Sequence, residues 1–304
     1  MKILVIFTGG TIGSCLKDGY IGTDASTSYT LLKPFKNDSI TFETASPYTV
    51  LSEDLSAKEL NILQDEISKA LKKDYDGIIV THGTDTIQYT ACALQNAFGN
   101  SNIPILLVSA AYPLDDKRTN GFDNFACALE FIKQKTENGV FVAYKNEKDS
   151  NTCVHLPSQL LLHNESLSDL KSLYSPFAVF DGKEFRNIRK ITKKPDSCKT
   201  VSYCEFPEIL VIESRPADSF NYSLDNVKAV IIKPYHSVTL NTSSKKLVDF
   251  CKAAKEKGIP VFTYGGHRDE NYESTSLFDP LGIKLLECET FASAFMTLWA
   301  RISE

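Results

Sequence analysis

The sequence predicts an α/β protein, with a mostly parallel sheet flanked by helices in a larger N-terminal domain and a smaller α/β domain after it. Short apolar runs are continuous rather than alternating, as strands buried on both faces require. Helical patterns separate those runs, which is how parallel strands are connected. A polar, basic stretch, "RNIRKITKKPDSCKTVS", divides the chain, giving domains over 1–185 and 208–304 with a linker over 186–207.

In chain order, "KILVIF" reads as the first strand. "SAKELNILQDEISKALKK" opens on a capping box, Ser56 with Glu59, and puts Leu60, Leu63, Ile67 and Leu71 on one helical face. "DGIIVTHG" is a second strand, leading to a helix over 86–98, and "PILLVSA" a third, leading through a polar loop to a helix near 122–135. "GVFVAY" is a fourth. The second unit holds the strand "VKAVIIKPY", a helix near 242–257, the strand "GIPVFTY" and a closing helix from about 290.

At 304 residues and 42% hydrophobic, the chain is long enough to bury a sizeable core. A formal net charge of −5 with scattered lysines offers no basic field for nucleic acid or an anionic membrane. The first residues run directly into a strand, without a signal-peptide h-region, and no apolar stretch has membrane-spanning length. The expectation from these features is a cytoplasmic protein. Eight cysteines without a CxxC pair argue against zinc and, in a reducing compartment, act mostly as small core residues.

Two strands end alike. "TGGTIG" follows the first and "HGTDT" the second, each a glycine turn carrying threonine. In a parallel sheet the carboxyl ends of the strands share one edge, and ligands bind there. Glycine lets the backbone turn tightly or approach a ligand, threonine supplies a hydroxyl, and a helix N-terminus beyond each turn favours an anionic group. A small molecule with a carboxylate suits such a site. The rival, a dinucleotide fold, needs G-x-G-x-x-G where the chain reads G-G-T-I-G, and Asp24 lies too close to serve as its ribose acid. The bland alternative is that Thr11 and Thr84 only cap the helices that follow.

Taken together and in this order, the two motifs resemble the bacterial-type L-asparaginase family, in its cytoplasmic type I-like form, and the likeness extends over nearly the whole chain. The resemblance implies hydrolysis of the side-chain amide of asparagine, sometimes glutamine, with no metal or other cofactor. It makes Thr11 the nucleophile and Tyr20, in the loop beyond, the residue that assists it. Thr84 would orient water, Asp85 hold the substrate's ammonium group and Ser52 grip its carboxylate. Glu53 stands where many relatives carry glutamine, adding a charge that favours the ammonium and opposes the carboxylate. The resemblance also implies a homodimer or homotetramer with shared sites. Independently, a threonine hydroxyl is a weak nucleophile that needs a partner beside it, and backbone N–H groups of the glycine turns suit a developing oxyanion.

The chain departs from the family in three places. Where the family has a lysine paired with the second motif, "CVHLPSQLLLHNESLSDLKS" aligns Leu161 or Leu162. Loss of a general acid–base group typically costs 10²–10⁴-fold, so weak or undetectable hydrolysis of free asparagine is expected. Lys145, Lys148, His155 and His163 are the candidates to reach the site from another direction, with a solvated surface position as their plainer fate. "SAAYP", followed by Asp115, Asp116, Lys117 and Arg118, replaces the family's "GAMRP", and "PYHSVTLNT", with His236 and Ser237, replaces a glycine–asparagine turn. Besides an amidohydrolase, the sequence allows a catalytically weak amino-acid-binding or regulatory protein. An amidotransferase component acting on charged tRNA fits less well, because such proteins carry a domain before the first motif.

Overall fold

In the computed structural model, residues 1–17, 20–23, 30–163, 167–191, 198–265 and 272–304 are described, with 14–17 and 20–23 described by backbone alone. The chain divides into two compact units, Met1–Tyr203 and Cys204–Glu304. In the first, strands β1 (Lys2–Phe7), β4 (Thr41–Ala45), β5 (Gly77–Thr81), β6 (Pro104–Val108), β7 (Gly139–Tyr144), β8 (Thr152–His155), β9 (Ala178–Phe180) and β10 (Phe185–Arg186) form one sheet in the order β10-β9-β8-β7-β6-β5-β1-β4. The five strands from β7 to β4 along that order run parallel, and β8, β9 and β10 add antiparallel pairs at one side. A hairpin of β2 (Ser14–Lys17) and β3 (Tyr20–Thr23) stands apart from this sheet.

Alternate strand residues face opposite ways, so each continuous apolar run feeds two cores. Ile3, Val5, Ile79, Leu106 and Phe141 pack on one face against helix α3 (Gly121–Lys133) through Phe125, Leu129 and Ile132. Leu4, Ile6, Ile78, Val80 and Leu107 pack on the other, against Leu63 and Ile67 of α1 (Ala57–Ala70) and Ile87, Ala91 and Leu94 of α2 (Ile87–Phe98). The capping box of α1 forms as the sequence predicts, with Ser56 and Glu59 satisfying each other's backbone N–H groups. Within the stretch expected as a linker, Val201 and Tyr203 exchange hydrogen bonds with the side chains of Gln64 and Asn61 on α1.

Register sets the level at which each loop leaves the sheet. Phe7 lies opposite Thr81, and Thr81 opposite Val108, so the residues after β1, β5 and β6 depart side by side at the carboxyl edge. The expectation of a helix behind each threonine turn holds only at the second. Thr11–Gly13 is a single 3-10 turn that runs into β2, whereas α2 follows Thr84.

The second unit is a four-stranded parallel sheet, β11 (Ile209–Glu213), β12 (Ala229–Lys233), β13 (Val261–Tyr264) and β14 (Ile283–Leu286), in that spatial order. Helix α4 (Lys245–Glu256) covers one face through Leu247, Phe250 and Ala254; the short α5 (Phe278–Leu281) adds Phe278. The closing helix α6 (Phe291–Ser303) covers the other through Ala294 and Leu298.

Candidate active site

The turn after β1 is drawn toward β5. Thr8 donates its side-chain hydroxyl to Thr81 O at 2.7 Å, and Gly10 N donates to Val50 O at 3.0 Å. Gly10 has φ +72°, and a Cβ there would overlap the Cα of Gly83. Glycine is therefore required for conformation and for space, because the backbones of the two threonine turns touch. Gly83 in turn lies against Ser52, whose Cβ and Oγ occupy the position a side chain at 83 would need.

The second turn is braced from several directions. Fully buried His82 contacts Gly83 O through Nδ1 at 2.7 Å and Thr90 Oγ1 through Nε2 at 2.9 Å. The carbonyl can only accept, so Nδ1 carries the proton and Nε2 accepts from Thr90. Burial lowers the His82 pKa to about 4, leaving a neutral ring that locks the turn. Ser52, 4% exposed, accepts from Asp85 N at 3.2 Å and donates to Asp85 Oδ2 at 3.4 Å, while Thr86 Oγ1 donates to Ser52 O at 2.8 Å. Asp85 and Glu53 are exposed beside it.

Thr84 does not cap a helix. Its hydroxyl lies 2.6 Å from Ser109 Oγ and 3.0 Å from Ala110 O, and the N-cap of α2 is Thr86, which makes no side-chain cap bond. Thr11, half-buried at the head of its 3-10 turn, has no hydrogen-bonded partner for its hydroxyl among the described residues. Tyr20 is seen only as the first residue of β3, and its side chain lies outside the described residues.

Of the groups considered as substitutes for a lysine, one touches the second motif. His163 approaches Thr84 O through Nε2 at 2.8 Å and Asp169 O through Nδ1 at 3.2 Å. Lys145 pairs with Asp123 at 2.9 Å, and Lys148 is exposed. His155 is buried on β8 against Ser172 Oγ at 2.8 Å, its pKa lowered to about 4 by burial. Leu161 and Leu162 are both partly solvent-accessible, and Leu161 meets the first helical turn of α2 through its carbonyl, which accepts from Gln88 Nε2. In the loop after β6, Arg118 pairs with Asp116 at 2.7 Å and lies over the Tyr112 ring.

Sequence reasoning passed over Ser109 and the two asparagines that hold its loop. Asn124 Nδ2 donates to Ser109 O at 2.8 Å, and Asn120 Oδ1 accepts from Ala111 N at 2.8 Å. A small polar residue closing the otherwise apolar "PILLV" was the available signal.

The family model for the N-terminal domain of asparaginase matches residues 2–192. The chain belongs to the asparaginase family. L-asparaginase 1 of Escherichia coli K12 is 32% identical over 279 residues, covering 86% of this chain and 78% of that protein. The fold superposes on the thermostable L-asparaginase of Thermococcus kodakarensis with a TM-score of 0.84 at 22% identity, covering 100% of this chain and 93% of the other. A component of the glutamyl-tRNA(Gln) amidotransferase of Pyrobaculum aerophilum is 31% identical over 157 residues, which is 51% of this chain and 37% of that protein. The asparaginase-family chain is thus an asparaginase-like amidohydrolase. Among the described residues no group of three His, Cys, Asp or Glu side chains is placed to hold a metal ion, and no helix is long and apolar enough to cross a membrane.

Proposed function

We propose that the chain hydrolyses the side-chain amide of asparagine in two steps, with Thr11 as nucleophile. Attack of Thr11 Oγ1 on the amide carbon releases ammonia and leaves an acyl ester on Thr11. Water, oriented by Thr84, then cleaves the ester and frees aspartate. Asp85 receives the substrate's ammonium group and Tyr20 assists Thr11. Ser52 holds the carboxylate, exchanging its long bond to Asp85 for one to the ligand, and Glu53 biases the entrance toward the ammonium. The observation that carries this reading is the contact of the Gly10 and Gly83 backbones, which brings a hydroxyl without a partner among the described residues and a tightly held one to the same edge of the sheet.

Oligomer and compartment belong to the same proposal. A two-fold dimer, or a pair of dimers, would complete each site from a neighbour's second unit, in keeping with the closed symmetry common among soluble oligomers. The loop with His236 and Ser237 is the candidate contribution. It is held in an unusual shape, with Val238 at φ 60° and Ser237 Oγ 2.8 Å from Thr239 Oγ1. All seven cysteines whose side chains are described are free thiols, which supports a reducing, cytoplasmic setting.

Leucine at 161 and 162 favours a second reading, an amino-acid-binding protein with little turnover. One pair of measurements separates the two. Slow ammonia release from asparagine that disappears in Thr11→Ala supports the enzyme; aspartate binding in a calorimeter with no ammonia release supports the binding protein. Neither activity nor binding would sink both.

A further inference from the structure

The side chain in closest contact with Thr84's hydroxyl is a residue to which neither motif gives a role. Ser109 Oγ lies 2.6 Å from Thr84 Oγ1, and Ala110 O lies 3.0 Å from the same atom. A carbonyl oxygen only accepts, and a threonine hydroxyl has a single proton. With Thr84 donating that proton to Ala110 O, the proton between the two hydroxyls is the one Ser109 supplies. Thr84 Oγ1 then has one lone pair occupied by Ser109 and one left open among the described residues.

The arrangement is fixed from behind. Ser109 is fully buried, follows β6 directly and has its carbonyl bound by Asn124, itself fully buried on α3. Ala111 N is held by Asn120, and Thr84 O by His163. A hydroxyl held between a carbonyl and a buried serine on an anchored loop cannot rotate freely. A water molecule approaching Thr84 therefore meets an acceptor in a set direction rather than a proton.

We propose that Ser109 is a positioning residue for Thr84, its donated hydrogen bond turning the open lone pair of Thr84 Oγ1 toward the water that attacks the acyl-Thr11 ester. The inference rests on the reading of Thr84 as the group that orients water. No proton passes through Ser109, which stays a neutral hydroxyl throughout. Its effect falls on the second chemical step, because the first, in which ammonia leaves, uses no water.

Rapid-quench kinetics on Ser109→Ala, with ammonia and aspartate measured separately, tests this. Ammonia should appear in a burst of one equivalent per active site ahead of aspartate, with kcat about tenfold down, the rate equivalent of one hydrogen bond. Ammonia release in the first turnover should keep its wild-type rate. Ser109→Cys, which retains a weak donor, should fall between wild type and Ser109→Ala and guards against a folding defect in one variant. Equal slowing of ammonia and aspartate in both variants, or an unchanged kcat, would overturn the positioning role while leaving Thr11 chemistry in place. An inert wild type, or a Thr11→Ala variant as active as wild type, would instead overturn the proposed function and this role with it.

Discussion

The two threonine turns share a sequence signature and a place on the sheet edge, yet they differ in nearly everything a hydroxyl responds to. Thr11 sits half-buried on one 3-10 turn, its hydroxyl unpartnered among the described residues. Thr84 is 7% exposed, its hydroxyl held by Ser109 and Ala110, its carbonyl by His163 and its preceding peptide by His82. A nucleophile has to advance on a substrate, and a group that aims water has to stay still. The same dipeptide can do either, and the packing behind it decides which.

Substituting the two threonines should expose that asymmetry most strongly. Thr11→Ala should lower ammonia release by at least ~10³-fold, since it removes the bond-forming atom, and leave thermal stability nearly unchanged. Thr84→Val should lower activity by about 10²-fold, within the range of a general acid–base group, and also reduce the melting temperature by several degrees, because Ser109 and Ala110 lose a buried partner. Equal thermal losses in the two variants would erase the distinction between a committed and an uncommitted hydroxyl.

Acid should loosen the second turn selectively. Burial holds folded His82 near pKa 4, below the ordinary value of 6.5, so between those values the unfolded chain binds a proton that the folded chain refuses. Stability contributed by His82 is therefore complete above pH 6.5 and is lost as pH falls toward 4, by about 3 kcal/mol at most. His155 adds a loss of the same sign. Urea midpoints measured across this window should fall steeply for the wild type and less steeply for His82→Gln. Parallel curves would show that His82 is not the lock.

A backbone substitution tests the contact between the turns. Gly10→Ala forces a side chain into left-handed backbone and against Gly83, and should cost about 2 kcal/mol by denaturant unfolding while abolishing turnover. Wild-type stability in this variant would mean that the turns are free to separate.

The parallel sheet was legible because its strands carry the unbroken apolar runs that burial on both faces demands. Strand β4 escaped notice: "TFETA" is largely exposed, as an edge strand can be, and lacks such a run. Strands β9 and β10 are too short to show a period. In the candidate site the glycines and threonines were readable from their turn context. His82 was not, since a buried histidine and a surface one look alike in a string of letters. Ser109 was hidden for a different reason. It belongs to "SAAYP", a segment without the glycine and threonine signature of the two turns, and its partner is 25 residues upstream on the neighbouring strand's loop.

The register of β1, β5 and β6 works as a ruler shared by three loops. Deleting one residue inside β6 would displace Ser109 by about 3.3 Å and turn its side chain to the opposite face, while changes of length beyond the ladder leave that alignment intact. Reaction chemistry on this scaffold is thus free to drift one side chain at a time at the ends of the strands, so long as the strands keep their length. A serine at the end of β6, held in place by neighbours on two other segments, is the sort of local exchange that such a frame permits.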